Sequence, residues 1–342
     1  MRGPSATRPV AQPMEPCPLT LRRLTGRFVP PRAKCGDGIN LQADGVLIPD
    51  DTPTNFAIVD HQNGTGVDAV SRMMRGGRVR DAAWVTKKED DTWDEPHLSF
   101  NVSAAGLLAR SSNQFTFHRY PNFARAPVTS AMSGTSRTSR QRFDWTSKYD
   151  IEFTDRVVII STKIKLVNRQ GRQPARARDP LPAAGPAVDD ALKRQMKAGI
   201  EGYLSEKWVL HRHDCLRHAT CDCPRTRKCC KFRVVIRVDF VESGEYHTVN
   251  LFQGRNRTVD TESWGRVPWH RMNYAHEVGH LLGFYDEYPE GANGPAPWRS
   301  SRRGALMYYS TAQSTAVPEH YYHGFRSQFQ SRAGETWDLV SP

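Results

Sequence analysis

The 342-residue chain has no long apolar run. No stretch approaches the roughly 20 apolar residues that a membrane-spanning helix needs, which excludes such a helix. The opening residues, MRGPSATRPVAQPMEPCPLT, carry an early arginine but no apolar h-region, so they are not expected to act as a conventional signal peptide. Acidic residues are also in deficit. Against 48 Lys and Arg stand 36 Asp and Glu, a formal charge of +12. Such a charge can draw nucleic acid, an anionic membrane surface or an acidic substrate. The basic residues are dispersed and no RNA- or DNA-binding motif is present, so nucleic acid is not expected as a partner. Apolar residues make up 38%, low for a globular protein, so part of the chain is expected in loops or tails. The length still allows two domains.

What is present centres on His276-Glu277-Val278-Gly279-His280-Leu281-Leu282-Gly283-Phe284-Tyr285-Asp286, which reads H-E-x-x-H-x-x-G-x-x-D. On a helix, positions i and i+4 share a face, so His276 and His280 can hold one metal ion. Glu277 sits one step round, within reach of a water beside that ion. Gly283 can take the left-handed conformation that ends a helix, and the turn would let Asp286 supply a third ligand. Two imidazoles, a carboxylate and an open position suit a catalytic zinc. Glu287, His320 and His323 compete with Asp286 for the third place.

This pattern resembles the metzincin group of zinc metallopeptidases, whose motif is followed by a methionine-bearing turn. Ala305-Leu306-Met307-Tyr308-Tyr309 is similar to that turn, with Met307 expected beneath the metal. The resemblance implies Tyr309 as a stabiliser of the oxyanion, with Tyr308 and Tyr288 as rivals. It covers about the last 190 residues and implies a zinc endopeptidase in which Glu277 is the general base. No second glutamate lies on a clear downstream helix and no G-T-x-D-x-x-Y-G follows, which argues against other zinc-peptidase groups. The longer run HEVGHLLGFYDEY resembles bacterial metallopeptidase-like proteins that accompany type VI secretion spike proteins. That implies a secreted effector or toxin, made in the bacterial cytoplasm and exported without a conventional signal, with a spike protein as a partner beside its protein or peptide substrate. Two other readings stay open: a non-cleaving binding protein on this scaffold, and a zinc hydrolase of a non-peptide amide or ester.

The expected fold is α+β. Residues 1–30 are Pro- and Arg-rich and read as an irregular tail. Residues 31–120 show short apolar stretches between turn signals, with strands at Ile39–Gln42, Asn55–Asp60, Arg80–Thr86, His97–Val102 and Gln114–Arg119. These predict a β-sandwich, with an immunoglobulin-like arrangement as one form, and a binding or docking role by analogy. Its acidic loop (Asp90, Asp91, Asp94, Glu95) reads as a solvated hairpin tip, and Cys35 as a structural or free thiol.

Residues 121–150, rich in Ser, Thr, Gly and Arg, read as a linker, with packing resuming at Phe143 and Trp145. Residues 151–342 then read as the metzincin-like domain, with a twisted mixed sheet and an active-site helix. Strands are expected at Arg156–Leu166, Trp208–Leu210, Phe232–Phe240 and Tyr246–Leu251, and helices over about 187–206 and 269–283. By resemblance, Tyr246–Leu251 is the candidate cleft-edge strand for pairing with an extended peptide. Five of the seven cysteines (Cys215, Cys221, Cys223, Cys229, Cys230) fall in one loop beside His211, His213 and His218. They read as a disulfide-stapled hairpin or a structural zinc site. The absence of paired C-x-x-C knuckles favours disulfides.

Overall fold

A computed structural model of the chain describes residues 22–33, 38–60, 65–85, 97–117, 122–154, 157–175, 179–215, 231–254, 260–266, 271–296, 304–308 and 316–342. Tyr309, Cys35, the acidic loop at 90–95 and four of the five clustered cysteines (Cys221, Cys223, Cys229, Cys230) lie outside them. Strand makes up 52% and helix 16%, so the protein is α+β with β dominant. No helix is long and apolar enough to cross a membrane among the described residues. The chain divides into two compact units, the smaller built chiefly from Ile39–Trp84 and Glu95–Thr116 and the larger from Phe117–Pro342.

Among its described residues the smaller unit holds nine strands: β1 (Arg23–Val29), β2 (Arg32–Ala33), β3 (Gly38–Val46), β4 (Pro53–Asp60), β5 (Gly66–Met73), β6 (Arg78–Val85), β7 (His97–Ala104), β8 (Leu107–Arg110) and β9 (Phe115–Phe117). They form one sheet ordered β1-β3-β6 and another ordered β2-β9-β7-β4-β5, with β8 beside β7. Period-two patterning turns Leu24 and Phe28, Ile39 and Leu41, and Phe56 and Ile58 inward. Rings from the two sheets meet there, Phe28 lying 4.8 Å from Phe100 and 5.5 Å from Phe115. β1 corrects the reading of residues 1–30 as a tail throughout. It alternates exposed and buried positions and pairs antiparallel along β3, but glycine and arginine hide that alternation in the sequence.

The larger unit contains β10 (Phe123–Thr135), β11 (Arg142–Thr154), β12 (Val157–Arg172), α1 (Asp190–Leu204), β13 (Val209–Arg212), β14 (Lys231–Phe240), β15 (His247–Gly254), β16 (Ser263–Gly265), α2 (Arg271–Leu281), a 3-10 turn at Glu319–Tyr322, α3 (His323–Ala333) and β17 (Trp337–Val340). Its eight-stranded mixed sheet runs β10-β11-β12-β14-β13-β17, with β15 also on β12 and β16 on β15. β14 and β15 both run parallel to β12, β14 along Val157–Ile164 and β15 along Ile164–Arg172. α1 is capped by Asp189, whose carboxylate accepts the Leu192 N–H at 2.8 Å. The i+4 stripe of α1 buries Met196, Ile200 and Leu204 in the core, and the helix packs beside α2. α3 adds Phe325 and Phe329, the latter 5.3 Å from the Phe153 ring and 5.2 Å from that of Trp337.

Two expectations change in this unit. Residues 121–150 are not a linker: they carry β10 and most of β11, paired in register from Ala126↔Ile151 to Thr135↔Arg142. Few of their side chains are buried, so they lack the apolar alternation that marks a strand. The second change concerns β15. It pairs β12 on one side and β16 on the other over Asn250–Phe252, so that stretch presents no open edge to a substrate.

Candidate metal centre

α2 delivers His276, Glu277 and His280 from one buried face, and the helix then stops abruptly. Gly283 takes a φ of +96°, its N–H donates to the His280 carbonyl and the Phe284 N–H to the Gly279 carbonyl, each at 2.9 Å. This pair of bonds is the Schellman stop, which reverses the chain and brings Asp286 back over the helix. Asp286 Oδ1 lies 3.2 Å from His276 Nε2 and 3.3 Å from His280 Nε2. The three form a group that could hold a metal ion, their ligand atoms lying within 4.8 Å of one another.

Both rings are oriented from behind. His276 Nδ1 bonds the Leu306 carbonyl at 3.0 Å and His280 Nδ1 the Phe284 carbonyl at 2.9 Å. A carbonyl can only accept, so each Nδ1 carries hydrogen and each neutral ring turns an Nε2 lone pair towards Asp286. Asp286 Oδ1 is buried and makes no hydrogen bond of its own. Three acceptor atoms therefore converge with nothing donating between them. Such an arrangement is repulsive unless protons or a cation occupy the centre.

The charge balance follows from that crowding. Burial opposes charging His276 and His280, but the Asp286 carboxylate beside them outweighs it and raises both. Burial likewise opposes ionising Asp286, yet the two imidazoles hold it well below the usual carboxylate range. Glu277 is pushed up to about 8, chiefly by burial, with His276 working the other way and the carboxylates of Asp286 and Asp260 adding to the rise.

Met307 lies beneath the group. A Cβ on Gly279 would stand 2.8 Å from its sulfur, which explains glycine between the two histidines. The Met307 carbonyl accepts the Glu287 N–H at 2.8 Å, so the Met307 turn and the ligand loop are stitched together. The rivals for third ligand are engaged elsewhere: His320 bonds Glu287 at 2.7 Å, and His323 meets Glu319 at 3.3 Å. Tyr288 lines the cleft, its ring 6.4 Å from that of His276, whereas Tyr308 packs against the core.

No protein-family model and no curated protein sequence matches this chain.

Other residues of the centre carry no motif. The loop bearing Asp286 is held by Asn293, whose amide donates to the Asp286 carbonyl at 2.9 Å and the Tyr288 carbonyl at 2.7 Å. Arg137, between β10 and β11, donates to Asn293 Oδ1 at 2.8 Å and to the Glu287 carbonyl at 2.7 Å. The Ala292 N–H supplies Asp286 Oδ2 with a bond at 2.7 Å. Trp145 on β11 donates its indole N–H to the His280 carbonyl at 2.8 Å. The group lines a cleft of about 550 Å³, which Arg142–Trp145, Asp260 and Thr261 also line. The one sequence signal for any of these was Trp145, an aromatic closing a polar run.

Proposed function

We propose that the larger unit is a metzincin-like zinc endopeptidase. The observation that carries this reading is the convergence of two oriented Nε2 lone pairs and a bond-free carboxylate oxygen at the floor of an open cleft, with Glu277 beside them. The donor set fits zinc: ligands about 2.0–2.1 Å from a tetrahedral ion stand about 3.3 Å apart, matching the 3.2 and 3.3 Å separations to Asp286. His276, His280 and Asp286 would hold the ion, which supplies Lewis acidity by lowering the pKa of water and polarising a carbonyl.

The chain's own residues do the proton chemistry. Glu277 takes the proton of the attacking water as its oxygen bonds to the scissile carbonyl carbon. It returns that proton to the departing nitrogen as the C–N bond breaks. A peptide substrate is supported by β11. Among the described residues its pairing with β12 covers only Asp150–Thr154, so Arg142–Tyr149 have no strand on that side, and Arg142–Trp145 border the cleft. An extended peptide laid along this edge would gain main-chain bonds that a small amide or ester could not make.

The smaller unit, read as a β-sandwich with its two sheets face to face, would serve docking or target recognition. The whole chain would act as a secreted bacterial effector. Copurification with a secretion spike protein supports that role, and no export while such a system fires counts against it.

The deciding experiment compares zinc-loaded protein with Glu277→Gln on an unfolded protein, with zinc content equal and fragments read by mass spectrometry. Cleavage by the native protein and a loss of about 10²–10⁴-fold in the variant is expected. Equal activity in both, or none in either with zinc bound, overturns the reading.

A further inference from the structure

We propose that His247 and Thr162 close the open edge of β11 at Lys148, so that a peptide in the cleft pairs with this strand for only about two residues on that side of the metal group. The inference rests on the peptidase reading above and concerns how its substrate is held.

The closure comes from a fork in the sheet. β11 and β12 part company at the Asp150↔Ser161 pair. The Val241 N–H, just after β14, donates to the Ile164 carbonyl, and the Tyr246 N–H, just before β15, donates to the Lys163 carbonyl, each at 2.9 Å. Successive carbonyls of a strand point to opposite sides, so β14 and β15 lie on opposite edges of β12. β14 also faces Val157–Ser161, where β11 holds the other edge. β15 therefore takes the edge that β11 has left, starting at Ile164↔His247.

The two branches are tied together where they part. The Lys148 carbonyl accepts the Thr162 hydroxyl at 3.0 Å and His247 Nε2 at 2.9 Å. A carbonyl only accepts, so Nε2 carries the hydrogen, and both lone pairs of that oxygen are taken. Next to it, the Tyr246 hydroxyl donates to the buried carboxylate of Asp150. Main-chain groups facing one edge recur at every second residue, so Thr146, Asp144 and Arg142 follow Lys148 on this edge. Trp145 marks the metal group, its ring 5.6 Å from that of His280. At about 3.3 Å per residue, Lys148 stands about 10 Å further along the strand. A substrate residue opposite Thr146 can pair, its neighbour opposite Ser147 turns its main-chain groups away, and the next meets an acceptor already filled. In the other direction Asp144 and Arg142 have no main-chain partner on this edge among the described residues, so pairing can continue there.

The test uses two series of oligoalanine hydroxamates on the zinc-loaded protein, one with the hydroxamate at the C-terminal end and one with it at the N-terminal end. The hydroxamate anchors each peptide on the metal, so added residues probe one side at a time. In one series affinity should stop rising after about two residues, while the other gains further. N-methylation of the third and fourth backbone nitrogens in the stopped series should cost nothing, which reads the limit on the native protein alone. In His247→Ala combined with Thr162→Val, and in part in each single variant, the Lys148 carbonyl is released. The stopped series should then gain about 2–10-fold from one further hydrogen bond. Equal gains with length in both series, a cost of N-methylation beyond the second residue, or a stop unmoved in folded, zinc-loaded variants overturns the inference. Hydroxamates that bind with this limit, beside peptides that are never cut, would keep it and remove the peptidase reading. Cleavage with no such limit would do the reverse.

Discussion

Arg137 and Asn293 lie 156 residues apart in sequence and are joined by a 2.8 Å hydrogen bond from the guanidinium Nε to the amide oxygen. The bond fixes which way the Asn293 amide points. Its nitrogen then holds the Asp286 carbonyl, so the β10–β11 hairpin sets the backbone that carries the third ligand. The Arg137 N–H to the Pro289 carbonyl and the Thr135 N–H to the Asn293 carbonyl add two main-chain bonds to the same clamp.

Arg137→Ala should therefore weaken zinc binding without touching a ligand. Partners that orient metal ligands contribute about 10–100-fold in affinity, and a loss in that range is expected. Competition against a chromophoric chelator measures it. An unchanged affinity would mean that the Asp286 loop keeps its shape without the hairpin.

Gly291→Ala should act more directly. A Cβ there would stand 2.4 Å from both the Cβ and Oδ2 of Asp286, and the carboxylate could not stay where it is. We expect zinc affinity to fall further than in Arg137→Ala, at a stability cost of about 1–3 kcal/mol, the usual range for overpacking. Zinc titration and urea unfolding of the same sample separate the two effects. Full affinity in this variant would argue against Asp286 as a ligand.

The centre was legible where chemistry recurs at fixed spacing, and opaque where it depends on residues distant in sequence. The spacing from His276 to Asp286 put both histidines, the left-handed Gly283 and the carboxylate in one place before any fold was known. Met307 followed from its distance beyond the helix. Gly291 and Gly294 carry no local signal, because the reason for them lies in neighbours that no local pattern reveals: the Asp286 side chain and the Tyr285 ring, 2.4 and 2.5 Å from where a Cβ would sit. β10 and β11 were missed for a related reason. Ser, Thr, Gly and Arg on strands with little burial give no period-two apolar signal, although each strand runs for thirteen residues. β14, fully alternating, was read correctly.

The Glu287–His320 pair should matter for stability. Glu287 is fully buried, and His320 at 2.7 Å is its side-chain partner, tying the ligand loop to the 3-10 turn before α3. Removing one member of a buried pair strands the other, at a cost of about 3–5 kcal/mol. Glu287→Gln and His320→Gln should each lose an amount of that order in chemical denaturation. The double variant should lose much less than their sum, and strict additivity would show that the two do not depend on one another.

The pH dependence of the metal-free protein provides a test that needs no substrate. Folded Glu277 holds its proton up to about 8, against an ordinary value of 4.5, and His276 and His280 hold theirs above 6.5. Across this window the native state binds more protons than the unfolded chain, so stability must fall as pH rises. Asp286 has the opposite sign: its lowered value gives stability above about 3.8 that is lost in stronger acid. In chelator, Tm should therefore decline from pH 6 to pH 8.5, and decline less in Glu277→Gln, which has no proton to lose at that position. Zinc takes the place of the histidine protons, so its stabilisation should grow over the same interval. At a free concentration 100 times its Kd it adds about 2.7 kcal/mol. A metal-free Tm that climbs towards pH 8.5 would mean that these groups are not protonated together, and the crowded-acceptor account of the centre would fail with it.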